Sequence, residues 1–207
     1  MCIRDRLLGV FIFFQAKSLV AKQKSLNEET AAVGYYFIIS CFLNFVWLLS
    51  WQSMHLQVAF ILIFVLWIVL IMLYYRLSQI QNAHSAFTVP FSFYLAWICV
   101  AGLANLNVVL IDGGFNFFGL TDEYWTALLI LIGLCGTLLV LYLNQDIWFT
   151  LVLMWAFYGV YYKSDALSNG GNAVTKMALI AILSLMLIGG WVGIRKWTKI
   201  KTSRIVS

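Results

Sequence analysis

Three residues of this sequence combine an indole, a small side chain and an amide at helical spacing within an apolar segment. Trp97, Ala101 and Asn105 follow one another at intervals of four residues, so a helix would carry them on one face. An amide that faced lipid would lack a hydrogen-bond partner. We therefore expect this face to point into the protein, toward a ligand or a neighbouring helix.

A second apolar segment contains the same combination of side chains. Asn44 precedes Trp47 by three residues and Trp51 by seven, which again indicates one helix face. Two such faces turned toward a common interior would form an aromatic-lined pocket with a few polar anchors, as small-molecule sites usually have. The alternative is packing, which the spacing alone favours, because membrane Asn residues often hydrogen-bond a neighbouring helix and Trp residues often lie at the lipid interface.

The composition is that of an integral membrane protein. Of 207 residues, 63% are hydrophobic and 10% are charged, whereas a soluble domain has roughly 25% charged residues. The net charge of +5 comes from basic residues beside apolar segments, mainly within 17–24 and 195–204. Such placement indicates membrane topology and contact with anionic lipid, so we expect the lipid bilayer and no nucleic acid as partner.

Six apolar segments of about spanning length predict an all-α polytopic transmembrane bundle. They cover approximately 33–51, 56–76, 89–111, 124–143, 147–162 and 174–195, and the fifth is the shortest. A shorter apolar run, Leu7 to Phe14, precedes them. We expect that the chain begins partway through this helix and that residues 1–6 are not native, which gives six full spans and one truncated N-terminal helix.

The connections between these segments are short. A polar loop from about Gln15 to Thr30 follows the truncated helix. Pro90 stands at the start of the third full segment, where we expect its missing N–H to cost nothing. Turns are predicted at Gly113–Gly114, Asn144–Asp146 and Gly170–Gly171. In the last segment, Gly189–Gly190 would permit close contact with another helix.

The distribution of charge predicts the orientation. If the C-terminus is cytoplasmic, that side collects most of the basic residues, namely Lys17, Lys22, Lys24, Arg76, Arg195, Lys196, Lys199, Lys201 and Arg204. The other side then has only Lys163 and Lys176 together with most of the acidic loop residues. This positive-inside bias favours an odd number of crossings, seven with the truncated helix, and fits a bacterial inner membrane with a cytoplasmic C-terminus.

The segment from Tyr94 to Asn105 resembles the last conserved helix of the translocator protein family, the tryptophan-rich sensory proteins also called peripheral benzodiazepine receptors. The family motif reads P-Y-L-x-W, followed by Ala four and Asn eight residues after the Trp; Trp97 and Ala101 hold the corresponding positions before Asn105.

A second motif of the family, Q-L-x-L-N-x-x-W, is matched by Asn44 and Trp47, although its Gln is not. The resemblance covers approximately residues 7–111. It leaves 112–207 as a C-terminal three-helix extension with a basic cytoplasmic tail, outside the five-helix core of the family.

The resemblance implies a protein that binds a planar hydrophobic ligand such as a porphyrin and senses or transports it. The ligand-binding residues that it implies are Tyr94, Trp97, Ala101, Asn105, Asn44 and Trp47. The Trp side chains would stack on the ligand, the Asn side chains would anchor it or join helices, and Ala101 would allow close approach. Pro90 departs from the motif, since it lies seven residues before Trp97 instead of four. The sterol-contact pattern of some animal members is absent after Asn105, so sterol binding is not implied.

No group of residues indicates catalysis or a metal site. The acidic residues lie in loops or at the ends of segments, and His55 and His84 have no partner at metal-ligand spacing. We therefore expect a protein that is not an enzyme and requires no cofactor, with a tetrapyrrole as ligand. Two alternatives stay open: a secondary transporter of a small solute, against which the lack of a mid-membrane carboxylate or arginine counts, and a structural membrane subunit. The oligomeric state, a homodimer included, also stays open.

Overall fold

The computed structural model describes residues 24–79, 85–114, 119, 121–168 and 172–206, and helices account for nearly all of them. The helices are α1 (Lys24–Gln52), α2 (Leu56–Ser78), α3 (Ser85–Asp112), α4 (Asp122–Asn144), α5 (Ile147–Ser168) and α6 (Ala173–Val206). No strand occurs within these ranges. The predictions for Leu7 to Phe14, for residues 1–6 and for Gly170–Gly171 lie outside the described residues.

Five of the described helices contain a stretch long and apolar enough to cross a bilayer: Gly34–Gln52, Leu56–Ser78, Thr88–Asp112, Asp122–Asn144 and Ala173–Arg195. The predicted all-α membrane bundle is therefore confirmed. The predicted segment 147–162 forms α5, but α5 is not among these five, because its second half carries Lys163 and Asp165 beside several tyrosines. The predicted side of the C-terminus depends on whether α5 crosses the membrane and stays a prediction.

Two sequence predictions about helix ends are wrong. The loop predicted as far as Thr30 is helical from Lys24, because its Glu and Ala residues favour helix although they are not part of the apolar span. Helix α3 begins at Ser85, so Pro90 lies inside the helix instead of in its first turn. An interior proline removes the hydrogen bond to the carbonyl four residues earlier, so its missing N–H does have a cost.

The chain divides into two compact units, Met1–Val109 and Leu110–Ser207. In the first unit, α1 and α2 form an antiparallel hairpin. Helix α2 buries one residue in each turn, at Ala59, Ile63, Leu66, Leu70, Leu73 and Leu77. This alternating spacing of four and three residues produces one continuous apolar stripe, and Phe91 of α3 packs against Leu73 and Leu77 at its end.

In the second unit, α4, α5 and α6 pack against one another. The predicted turn between α4 and α5 is confirmed: Gln145 has a φ of 50°, and Asp146 caps α5 by accepting a hydrogen bond from the N–H of Phe149 at 3.1 Å. Of the predicted Gly189–Gly190 contact, only Gly189 lies against α5: a Cβ there would be 3.5 Å from Cγ2 of Thr150, an ordinary van der Waals distance, and a Cβ at Gly190 would meet no described atom within 4 Å. Helix α6 therefore contacts α5 at Gly189 at a distance that would also accommodate a Cβ.

Polar side chains also fix the start of α6. The Oδ1 of Asn172 accepts hydrogen bonds from the N–H of Thr175 at 2.8 Å and from the hydroxyl of Ser164 at 2.9 Å. Glu123 of α4 accepts a hydrogen bond from the N–H of Ala173. Because the first N–H groups of a helix have no partner within the helix, these side chains satisfy them and join α6 to α4 and α5.

The turn between α1 and α2 contains Met54 in the left-handed region, with a φ of 58°. The N–H of Met54 bonds to the carbonyl of Trp51 at 3.2 Å, and the N–H of His55 bonds to that of Ser50 at 3.0 Å. These bonds end α1 as a left-handed cap does. A side chain in this conformation is strained, and glycine would relieve the strain.

We predict that Met54→Gly stabilises the hairpin by roughly 0.5–1 kcal/mol. This value is the free-energy cost of the left-handed conformation for methionine minus the cost of the extra chain entropy that glycine loses on folding. The Met54 side chain is 75% exposed, so its loss removes little packing. The measurement is the free energy of unfolding in mixed micelles titrated with SDS. The control is Ser53→Gly, which we expect to destabilise, because the N–H of Ser53 still bonds to Leu49 in helical geometry. A less stable Met54→Gly variant would contradict this account of the turn.

Candidate functional site

Three contacts between side chains of α1 and α3 define the candidate site. The rings of Phe37 and Phe91 meet edge to face at 6.0 Å. One turn further on, the hydroxyl of Tyr94 donates to the carbonyl of Ser40 at 3.4 Å. Towards the ends of both helices, the indole Nε1 of Trp47 donates to the Oδ1 of Asn105 at 3.5 Å. The contacts advance along both helices in the same direction, so α1 and α3 run parallel.

Asn105 is the most buried of the predicted site residues, with an exposed fraction of 3%. Its Oδ1 accepts the hydrogen bond from Trp47, and its Nδ2 donates to the carbonyl of Ala101 at 2.8 Å. The amide thus has a partner at both ends, one on each helix. The structure confirms that Asn105 points inward and that the two motifs meet, and this bond is of the kind that holds membrane helices together.

Trp97 does not share the buried face of Asn105, contrary to the sequence prediction. Its side chain is 44% exposed, while both sequence neighbours, Ala96 and Ile98, are buried. The reason is helix geometry: with 3.6 residues per turn, positions eight apart differ by about 80° around the axis. Trp97 therefore lies at the flank of the α3 face that contacts α1, and half-buried Ala101 lies between Trp97 and Asn105.

Asn44, Ala101 and Gly102 lie along α1 and α3 between the Tyr94–Ser40 and Trp47–Asn105 contacts, and we call this stretch the α1–α3 interval. Asn44 is half-buried, and its side chain forms no hydrogen bond with any residue that the structure describes. Ala101 and Gly102 precede Asn105 by about one turn, one on either side of it. A Cβ added to Gly102 would meet no described atom within 4 Å.

The chemistry available in the α1–α3 interval is that of a small apolar binding site. Small residues on one helix leave room for a flat group, and the half-exposed indole of Trp97 beside them offers a surface for stacking. The Asn44 amide adds a donor and an acceptor where lipid has neither. Among the described residues, no group of three or more His, Cys, Asp or Glu side chains could hold a metal ion.

Several contacts near this site were not predicted. The guanidinium of Arg76 lies over the ring of Tyr36 at 4.7 Å, and Tyr36 packs on the same apolar cluster as Tyr94. On the other side of α3, the indole Nε1 of Trp67 donates to the Sγ of Cys99 at 3.0 Å. Spacing within one helix carries no signal for such pairs, since they depend on how neighbouring helices are aligned.

The aromatic residues of α5 lie in the second unit and are not part of this site. Trp155, Tyr158 and Tyr162 are all more than half exposed. Such exposure on a hydrophobic helix is what membrane-facing aromatic residues show. Trp155 therefore provides an exposed indole for comparison with Trp97.

The helices and the site together define an integral membrane protein whose aromatic and amide side chains converge between two parallel helices. Comparison with protein families gives a more specific result: the family described as TSPO-like protein matches residues 6–191. The chain therefore belongs to the TSPO-like protein family. The match includes the helices after residue 111 as well as those that carry the two motifs. Neither a curated protein nor a solved structure matches the chain.

We predict that Trp47 and Asn105 are energetically coupled. A double-mutant cycle of Trp47→Phe and Asn105→Ala should give a coupling energy of about 0.6 kcal/mol in the free energy of unfolding, the average for hydrogen bonds between membrane helices. The matched control pairs Trp67→Phe with Asn105→Ala. These two changes should be additive, because Trp67 bonds to Cys99. Equal coupling in both cycles would contradict a specific Trp47–Asn105 bond.

Proposed function

We propose that this TSPO-like membrane protein binds a planar hydrophobic ligand of the porphyrin class in the α1–α3 interval and that it senses or transports this ligand. The observation that carries the proposal is the composition of the interval: open space at Gly102, the half-buried Asn44 amide and the half-exposed Trp97 indole. Such a combination of flat apolar surface with one polar anchor suits a flat, mostly apolar molecule.

Each residue of the proposed site has a distinct task. Trp97 stacks on the ligand ring from the flank of α3, and Ala101 and Gly102 allow the ring to approach the helix backbone. Asn44 hydrogen-bonds a polar edge of the ligand, which removes the cost of an unpaired amide in apolar surroundings. Trp47 and Asn105 bond to each other, so they hold α1 against α3 and close one end of the interval.

Binding is favoured over the other classes by specific features. An enzyme would need a reactive set of side chains, and the proposed site consists of indole, amide and small apolar groups. A secondary transporter coupled to ions would be expected to carry a charged residue at mid-membrane depth, and the sequence from 77 to 111 has none. A structural subunit is the second candidate, because the Trp47–Asn105 bond serves packing.

We propose a bacterial inner membrane as the location, with the C-terminus in the cytoplasm. The support is the charge distribution: the helical end of α6 beyond Arg195 carries Lys196, Lys199, Lys201 and Arg204 and no acidic residue. Basic residues next to a span are retained on the cytoplasmic side. Fluorescence of a reporter protein fused to the C-terminus would test this orientation.

The binding proposal predicts saturable quenching of tryptophan fluorescence when protoporphyrin is added to the purified protein in an uncharged detergent. Trp97→Ala should weaken the affinity about three- to tenfold, which corresponds to the roughly 0.5–1.5 kcal/mol of an aromatic stacking contact. The matched control is Trp155→Ala, which removes an indole that is 63% exposed in the second unit and should leave the affinity unchanged.

Two results would contradict the proposed function. Quenching that does not saturate, and is the same in all three proteins, would show that the porphyrin only partitions into the micelle. Equal losses of affinity in the Trp97→Ala and Trp155→Ala variants would show that exposed indoles contribute without a defined site. Circular dichroism of each variant establishes that the fold is intact before the affinities are compared.

A further inference from the structure

Arg76 is the only charged residue between positions 31 and 111 of the sequence. It lies in the last turn of α2, is exposed, and holds its guanidinium 4.7 Å from the centre of the Tyr36 ring on α1. No ion pair joins it to a described residue, and positions 31–111 contain no acidic residue at all. Between positions 31 and 111, Arg76 therefore supplies a permanent positive charge among apolar, aromatic and uncharged polar side chains.

The position of Arg76 relates it to the α1–α3 interval. Tyr36, whose ring lies under the Arg76 guanidinium, packs on the cluster formed by Leu73, Leu77 and Phe91. Asn44 lies eight residues after Tyr36 on the same helix, a distance of about 12 Å at 1.5 Å per residue. These positions differ by about 80° around α1, so a molecule that reaches both must pass the Phe37–Phe91 and Tyr94–Ser40 contacts along the outside of the helix pair.

The Arg76 guanidinium lies over the Tyr36 ring. A guanidinium has five N–H donors, so one that also lies over an aromatic ring keeps donors for an oxygen pair. A guanidinium binds a carboxylate through two parallel hydrogen bonds, an arrangement that a lysine cannot reproduce. Arg76 therefore has the chemistry to bind a carboxylate, and it lies beside Tyr36 on α1.

We propose that Arg76 is a specificity-determining residue that selects planar ligands carrying a carboxylate group. This inference rests on the proposed binding of a planar ligand in the α1–α3 interval. The ring of the ligand occupies the interval beside Trp97, and its carboxylate bonds to the Arg76 guanidinium. A neutral ligand of the same shape has no group to pair with Arg76 and binds more weakly.

The competing role for Arg76 is that of a membrane anchor. Arginine residues near helix ends place their charge among lipid headgroups, and such an anchor would affect stability without distinguishing between ligands. Two ligands that share one ring but differ in the charge of their side groups separate the roles. Protoporphyrin IX carries two carboxylates, and its dimethyl ester has the same ring with both carboxylates blocked.

The experiment measures the affinity of wild type, Arg76→Gln and Arg76→Lys for both porphyrins in an uncharged detergent. We expect Arg76→Gln to weaken protoporphyrin IX about tenfold, the size of one charge-assisted contact, and to leave the dimethyl ester unchanged. Arg76→Lys should retain part of the preference for protoporphyrin IX over its dimethyl ester, since lysine keeps the positive charge but lacks the planar guanidinium. The ratio between variants cancels the unequal partitioning of the two porphyrins into micelles.

Arg195→Gln is the matched control, because Arg195 stacks on Trp191 at 3.8 Å in the second unit and should not affect either porphyrin. Equal affinities for the diacid in wild type and Arg76→Gln would overturn the inference, as would an equal loss for both porphyrins. In both cases saturable binding of the ester would leave the proposed function standing. If neither porphyrin binds wild type saturably, the proposed function fails, and this inference fails with it.

Discussion

An amide buried in an apolar membrane helix must find hydrogen-bond partners within the protein, and the arrangement of the first unit follows from how Asn105 meets this requirement. Its Nδ2 bonds within α3 and its Oδ1 accepts the indole N–H of Trp47 from α1. Water and lipid could not replace these bonds at this depth. Together with the contacts that Phe91 and Tyr94 make with α1, this 3.5 Å bond fixes which residues of α1 and α3 lie opposite each other.

The remaining contacts of the first unit are consistent with that alignment. Tyr94 and Phe91 contact α1 nearer the start of α3, so the two helices are joined at both ends of the α1–α3 interval by aromatic side chains. Between these aromatic contacts, α3 has the small residues Ala101 and Gly102, and a Cβ added to Gly102 would meet no described atom within 4 Å. Helix α2 packs against α1, and the residues that α2 buries are all apolar. The polar side chains of the candidate site therefore come from α1 and α3.

The sequence predicted the helices and part of the site, for reasons that are physical. Apolar runs of spanning length identified α2 and α4 within a few residues, because exclusion from water decides their extent. The starts of α1 and α3 were missed, because residues outside the apolar span, such as Glu28 in α1, can extend a helix beyond the membrane. The meeting of Trp47 and Asn105 was predictable, since an intramembrane amide needs a partner. The exposure of Trp97 and the contact of Arg76 with Tyr36 could not be predicted from the sequence. Both depend on small rotations around each helix and on the alignment between helices.

The central proposal is that a planar ligand binds in the α1–α3 interval, against Ala101 and Gly102. Gly102→Leu tests it most directly, because a Cβ there meets no described atom within 4 Å and a leucine side chain would fill the space that the ligand is proposed to occupy. The measurement is protoporphyrin affinity together with the free energy of unfolding, with Gly136→Leu in α4, where a Cβ also has open space, as control. The account predicts that Gly102→Leu folds at least as stably as wild type, since leucine favours helix by about 0.8 kcal/mol over glycine, and no longer binds. Undiminished affinity in the stable Gly102→Leu protein would contradict it.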